Sequence, residues 1–127
     1  MTRKQFIESH GATCRNWNWS WSFVNHTDRF VIFGAWDRWT EDDRELILAD
    51  AWETNSKGRK MPGYRQGLEH IRLIQAEGYE LRTFPMLYSD EKQDRPGEGP
   101  ATIQGFIPKL TPKRLVREGD SWFATSM

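Results

Sequence analysis

Residues 16–24 read Asn-Trp-Asn-Trp-Ser-Trp-Ser-Phe-Val. Four aromatic residues stand at every second position, with Asn and Ser between them, and a period of two is the signature of a strand. In an extended chain Trp17, Trp19, Trp21 and Phe23 point to one side and Asn16, Asn18, Ser20 and Ser22 to the other. Such a stripe constrains everything around it. Its aromatic side is either the core of a small sheet or the wall of a pocket that stacks on a flat ligand, and the residues alone leave both readings open.

The remaining elements are read outward from this stripe. The pattern predicts a strand over 15–24, a polar turn over 25–28 and a second strand over 29–36, paired as an antiparallel hairpin. The continuous apolar run Phe30-Val31-Ile32-Phe33-Gly34-Ala35-Trp36 predicts a central strand covered on both faces. Gly34 within it predicts a bulge or the close approach of another group to the backbone. Before the stripe, Thr2 can cap a short helix over 2–10 that carries Phe6 and Ile7, and Gly11 can end it in a left-handed turn. After the second strand come an acidic loop over 37–44, a short strand over 45–49 and a long irregular stretch over 50–63.

The main helix is expected over 64–77, with Leu68, Ile71 and Ile74 on its apolar face and Gly78 as its stop. A strand over 79–88 follows, in which Pro85 predicts an edge position or a bulge. Beyond a loop over 89–100, strands are expected over 101–107, 114–116 and 121–124, the last entered through the turn Glu118-Gly119-Asp120. The fold class predicted is α+β in one domain, 1–127. It is a mostly antiparallel, curved sheet or partly closed small barrel with one main helix and a short N-terminal helix.

Apolar residues make up 37% and aromatics 13% of the chain, with seven Trp, which places it among folded rather than disordered sequences. No run approaches the roughly 20 apolar residues that cross a bilayer, and the first residues lack the apolar segment of a secretory signal. Cys14 is the single cysteine, so an intrachain disulfide is excluded. Together these predict a cytoplasmic protein with no membrane partner. The formal net charge is zero, which argues against indiscriminate binding to nucleic acid and leaves a local basic patch as the route to phosphates.

The common catalytic and metal-binding motifs are missing: no Cys-x-x-Cys pair, no His-Glu-x-x-His, no phosphate loop and no nucleophile elbow. His10, His26 and His70 fall in three different elements without ligand spacing, so no metal and no cofactor is predicted and each histidine reads as a surface or helix residue. Asp37, Asp42, Asp43 and Glu45 could serve a small metal-dependent hydrolase or nuclease. Against this, Arg38 and Arg44 neutralise the cluster in part, and acidic runs are ordinarily solvated loops. Asp37, which ends the apolar strand, could instead accept hydrogen bonds from a ligand amino group.

Ser56-Lys57-Gly58-Arg59-Lys60, with Arg65 following, is the only basic cluster and reads as a phosphate clamp or as solvated surface. Tryptophan repeated in the stripe points to a use for flat faces or indole N–H groups. Stacking is worth about 1–3 kcal/mol per base, and extruding a base from a duplex costs a few kcal/mol. One base held between two aromatics and by two or three hydrogen bonds therefore roughly offsets its extrusion. Exposed Trp beside Asn would equally suit a carbohydrate or protein interaction module.

Four stretches, Gly11–Trp17, Ser20–Asn25, Ile32–Asp37 and Thr83–Met86 with Tyr88-Ser89-Asp90, together resemble an N-terminal module found ahead of HNH nuclease domains in bacterial proteins of the modification-dependent restriction type. The resemblance spans nearly the whole chain. It implies a module that senses modified DNA, with cleavage left to an HNH domain fused or acting in trans. The histidines here lack the paired spacing of an HNH metal site, so the resemblance implies binding rather than cleavage. It assigns no contact residue.

On chemical grounds the expectation is a sensor of double-stranded DNA carrying a modified base, modified cytosine foremost, flipped into an aromatic pocket. Trp17, Trp19 and Trp21 would stack, Trp36 would add a wall, and Asp37 with Asn18 or Ser20 would read the base edge. Tyr88 and Asp90 would close the rim, and Lys57, Arg59, Lys60 and Arg65 would hold phosphates. The odd and even faces of one strand cannot both line one pocket without a bulge.

Overall fold

A computed structural model describes residues 2–36, 40–41, 43–88 and 103–127; for 36, 40, 41, 87, 88 and 103–105 it describes the backbone alone. In chain order the elements are α1 (Arg3–Ser9), β1 (Ser22–Asn25), β2 (Phe30–Trp36), β3 (Thr40–Glu41), β4 (Arg44–Ala49), a 3-10 turn (Asp50–Glu53), α2 (Pro62–Glu77), β5 (Glu80–Tyr88), β6 (Ile103–Phe106), β7 (Thr111–Glu118) and β8 (Ser121–Thr125). The protein is α+β, with the short N-terminal helix and the single main helix that the sequence predicts.

The strands follow the order β1-β2-β5-β7-β8-β4-β3, with β6 added to β5. All pairings among the described residues are antiparallel except β2 with β5, which run parallel because α2 lies in the connection between them. The sheet curves at β7: Thr111–Lys113 pair with β5, and Arg114–Glu118 pair with β8. This brings β4 back over β5, so that Thr83 donates to Glu45 Oε1 at 2.8 Å while Lys113 Nζ lies 3.5 Å from the same carboxylate. The path ends at β1 and β3 without a ladder between them among the described residues, so the curved sheet is not a closed barrel.

β2 is central, as its apolar run predicts: Phe30, Val31, Ile32, Phe33 and Ala35 are all buried. Gly34 answers to the close-approach reading, since a Cβ there would lie 2.4 Å from Met86 Sδ. The β1–β2 turn is closed by Asn25, whose Oδ1 accepts from Asp28 N–H at 2.8 Å. Thr2 caps α1 in a reciprocal pair with Gln5. Gly78 ends α2 in a left-handed conformation, φ 72°. β5 is not an edge strand. Pro85 is tolerated because its carbonyl accepts from Ile107 N–H at 3.0 Å, so the N–H it lacks would face that same side, where β7 leaves β5 and β6 joins it.

Three local expectations are corrected. Residues 15–21 are not strand; the strand begins at Ser22. Asn16 folds the segment into a turn: its carbonyl accepts from Ser20 N–H at 3.0 Å and from Trp19 N–H at 3.3 Å, and its Oδ1 accepts from Asn18 N–H at 2.8 Å. The Asn and Ser residues that looked like the outer face of a strand are turn formers, whose side chains compete with a sheet ladder for the backbone. Residues 50–63 are not irregular either. The 3-10 turn is followed by a closed loop, with a Thr54–Lys60 bridge and Asn55 Oδ1 accepting from Lys57 and Arg59 N–H at 2.9 and 3.0 Å.

The third correction concerns α2. Its buried face is Gly63, Tyr64, Gln66, Gly67, His70 and Ile71, while Leu68, Leu73 and Ile74 are half-buried. Two glycines make room for this. A Cβ on Gly63 would lie 2.6 Å from the Trp21 indole, and one on Gly67 would lie 3.2 Å from Leu48. The close approach places two polar side chains, Gln66 and His70, in the core.

Candidate functional site

The three tryptophans of the stripe do not share one face. Trp17 is half-buried and stacks on Phe23 with ring centroids 5.5 Å apart at 22°, and Lys4 Nζ lies 5.6 Å from the Trp17 ring. Trp21 meets Trp52 edge-on at 6.1 Å and lies against Gly63. Trp19, half-buried between them, has no ring contact among the described residues, and its carbonyl faces the first turn of α2 at Gly63. Asn18 is exposed. Ser20 is only 2% exposed and its Oγ accepts from Gln66 Nε2 at 2.7 Å. Trp36 ends β2 and Tyr88 ends β5, on strands paired in parallel. Asp37 and Asp90 lie outside the described residues.

The acidic residues that are described do not converge. Asp43 accepts from Ser126 N–H at 3.0 Å and from the Ser126 hydroxyl, which together hold its carboxyl below the usual range. Glu45 is engaged with Thr83 and Lys113 inside the curve of the sheet. Asp42, like Asp37, lies outside the described residues.

Two depressions flank α2. The larger, of about 560 Å³, is lined by Lys60, Arg65 and Arg72 and by the carboxylates Glu53 and Glu69, with Met61, Tyr64 and Leu68, so that cations are in the majority. Arg65, Leu68 and Arg72 fall on one stripe of the helix by its three-and-four spacing. Among the described residues none of these cations is held in an ion pair. Lys57 and Arg59 stand exposed on the closed loop just before the helix. The phosphate-clamp residues predicted from sequence are thus gathered at the N-terminal half of α2, with Arg72 as an addition.

One wall of this groove is fixed to the far end of the sheet. Tyr64 OH donates to Asp50 Oδ1 at 3.0 Å, and Arg117 Nη2 donates to Asp50 Oδ2 at 2.7 Å. The Arg117 hydrogen bond is the main cause that holds the Asp50 carboxyl below its usual value; burial first, and then Asp50, push the Tyr64 phenol up to about 12.

The second depression, of about 370 Å³, opens on the other side of α2, between the helix and the segment Thr13–Arg15, with Val24 and His26 of the first hairpin. It shares Glu69 with the cationic groove. Arg15 closes one side through its ion pair with Glu69 at 2.8 Å, an exposed pair of small energetic weight. Cys14, half-exposed, lines the same cleft as His26 and His70, residues far apart in sequence.

His70 is the helix residue that the sequence allows, but it is buried. It is 7% exposed, and its Nδ1 lies 2.6 Å from Oγ of Ser22, which is fully buried. Burial, and then the neighbouring charges of His26 and Arg15, bring its pKa down to about 4. His26 on the hairpin is held through Nδ1 by Tyr79 OH at 2.8 Å. The available signal was the spacing Gly63-x-x-Gln66-Gly67-x-x-His70, small and polar residues recurring at helical period.

Among the described residues no helix is long and apolar enough to cross a membrane, and no group of three His, Cys, Asp or Glu side chains converges as metal ligands would. Comparison with protein-family models, with curated proteins and with solved structures finds no match to this chain.

Proposed function

We propose that this chain is a DNA-binding module that senses a modified base, modified cytosine foremost, and supplies specificity to an HNH-type nuclease domain fused or in trans. The observation that supports this reading is the groove of α2, where Lys60, Arg65 and Arg72, none of them in an ion pair among the described residues, outnumber Glu53 and Glu69, with Lys57 and Arg59 on the adjoining loop. On a chain with no net charge, a concentrated patch of this kind is what phosphate recognition requires. Trp19, the tryptophan of the stripe without a ring partner among the described residues, is half-buried with its carbonyl at the start of the same helix and could serve in stacking. The resemblance to modules ahead of HNH nuclease domains points the same way.

The test is fluorescence anisotropy on matched duplexes carrying cytosine, 5-methylcytosine, 5-hydroxymethylcytosine or its glucosylated form, at low and moderate salt. The expected result is a preference for one modified duplex that survives added salt, because the phosphate contribution alone weakens steeply. Placing 2-aminopurine next to the modified base reports extrusion directly. Binding that ignores the modification and vanishes with salt would refute the sensing role.

A further inference from the structure

We infer that the base is read in the cleft between α2 and Thr13–Arg15, where His70 offers a hydrogen-bond donor through Nε2 to an acceptor on the base. This rests on the DNA-sensing reading above and names its site, which differs from the tryptophan pocket expected from sequence.

The cleft has the volume of a ligand site: about 370 Å³, within the roughly 300–1,000 Å³ typical of such pockets. It adjoins the groove that holds Arg65 and Arg72, the two sharing Glu69. Val24 and Leu73 line the same cleft and give the apolar surface that a methyl substituent on the base requires.

The polarity of His70 follows from its partner. Ser22 Oγ is buried and has His70 Nδ1 as its one side-chain partner among the described residues. A buried hydroxyl with one available acceptor donates to it. Nδ1 is therefore the acceptor, and the single proton of the neutral ring sits on Nε2, the atom left for the cleft. Ring burial keeps the imidazole neutral near pH 7, in the presence of the other titratable groups that face it, His26, Arg15, Glu69 and Cys14. Gln66 lines the cleft too, but both ends of its amide are engaged: Oε1 accepts from Arg15 N–H at 2.9 Å and Nε2 donates to Ser20. His70 is thus the core-anchored side chain with a polar atom free to read. An extruded cytosine, whose O2 and N3 are acceptors, matches it.

Nitrogen-15 spectra of the histidine rings at pH 7 test this, together with duplex binding by the variants His70→Gln and His70→Met. Gln keeps an N–H donor close to the position of Nε2, and Met keeps the volume without a donor. The free protein is expected to show His70 with its proton on Nε2, and the modified duplex is expected to shift that N–H. His70→Met is expected to lose about tenfold or more in affinity for the modified duplex and in the 2-aminopurine extrusion signal, with His70→Gln retaining most of both. A proton on Nδ1 in the free protein would overturn the inference. So would unchanged affinity of folded His70→Met for the modified duplex together with unmoved ring signals in the wild type, and that result, with the preference for modified DNA intact, would leave the DNA-sensing reading standing. Absence of any modification preference in the wild type would overturn both.

Discussion

Gln66 on α2 and Ser20 in the tryptophan segment meet in the core, with Gln66 Nε2 donating to Ser20 Oγ at 2.7 Å. The other end of the same amide accepts from Arg15 N–H at 2.9 Å. One helix side chain thus holds both sides of the turn that carries Trp17, Asn18 and Trp19. It also fixes the Thr13–Arg15 wall of the cleft in which His70 stands. The tryptophan segment and the cleft are parts of one construction.

Gln66→Leu is expected to destabilise the protein by about 1–2 kcal/mol, because it removes the acceptor of the part-buried Arg15 N–H and leaves the buried Ser20 hydroxyl with Asn16 N–H alone. Urea denaturation measures this directly. A loss below about 0.5 kcal/mol would show that the turn holds itself.

Gly63→Ala and Gly58→Ala separate space from conformation. At Gly63 a Cβ would meet the Trp21 indole at 2.6 Å and the Trp19 carbonyl oxygen at 2.7 Å. The gain in helix propensity, up to about 1 kcal/mol, is outweighed by overpacking of about 1–3 kcal/mol, and the near-ultraviolet circular dichroism of the tryptophans should change. At Gly58, φ +77° with no atom within 4 Å, the cost is conformational alone. It should amount to about 1 kcal/mol and leave the tryptophan signal unaltered.

His70 makes stability depend on pH. Its pKa falls from 6.5 to about 4 on folding, so between these values the unfolded chain binds more protons than the folded one. Stability is therefore complete above pH 6.5 and declines as pH falls toward 4, by about 3 kcal/mol in all from this group. Denaturation midpoints at pH 7, 5.5 and 4.5, compared between wild type and His70→Gln, isolate the contribution. A difference between the two proteins that is constant across this range would contradict it.

Arg65→Ala and Arg72→Ala should weaken binding to modified and unmodified duplexes by the same factor. Each should also reduce the slope of log affinity against log salt by about 1. Trp19→Ala should leave that slope unchanged and separates the two sites: loss of the preference for modified DNA would place the base against Trp19, and a preference kept intact is expected of a base read in the His70 cleft. Anisotropy titrations at several salt concentrations distinguish the two kinds of loss.

Much of the fold was legible because the signals are local. The apolar run Phe30–Trp36 could be accommodated only as a covered strand, and β2 is that strand. Thr2, Gly78 and Asn25 each mark an end or a turn through a hydrogen bond or a φ value set within a few residues. Among the site residues, Lys60 and Arg65 were placed by charge and position beside the helix, and they line one groove. The tryptophan alternation misled because its polar partners were counted for their size and not for their hydrogen-bonding habit. Asn16 and Ser20 close a turn on each other, and only Phe23 of the four aromatics lies in a strand.

The sequence by itself determined the ends that near neighbours fix, Thr2 at α1, the Asn25 turn and Gly78 at α2, and the covered strand β2, but not the start of β1. It also determined that cations gather around residues 57–65. Only the tertiary structure decided which face of α2 is buried, because that depends on what crosses it. Gly63 and Gly67 admit Trp21 and Leu48 closely enough to draw Gln66 and His70 inward. The curve of the sheet and the packing of the first hairpin then bring Cys14, His26 and His70 to one cleft. Burial fixes a side chain's partners and protonation, and burial is a property of the packed chain rather than of any stretch of it.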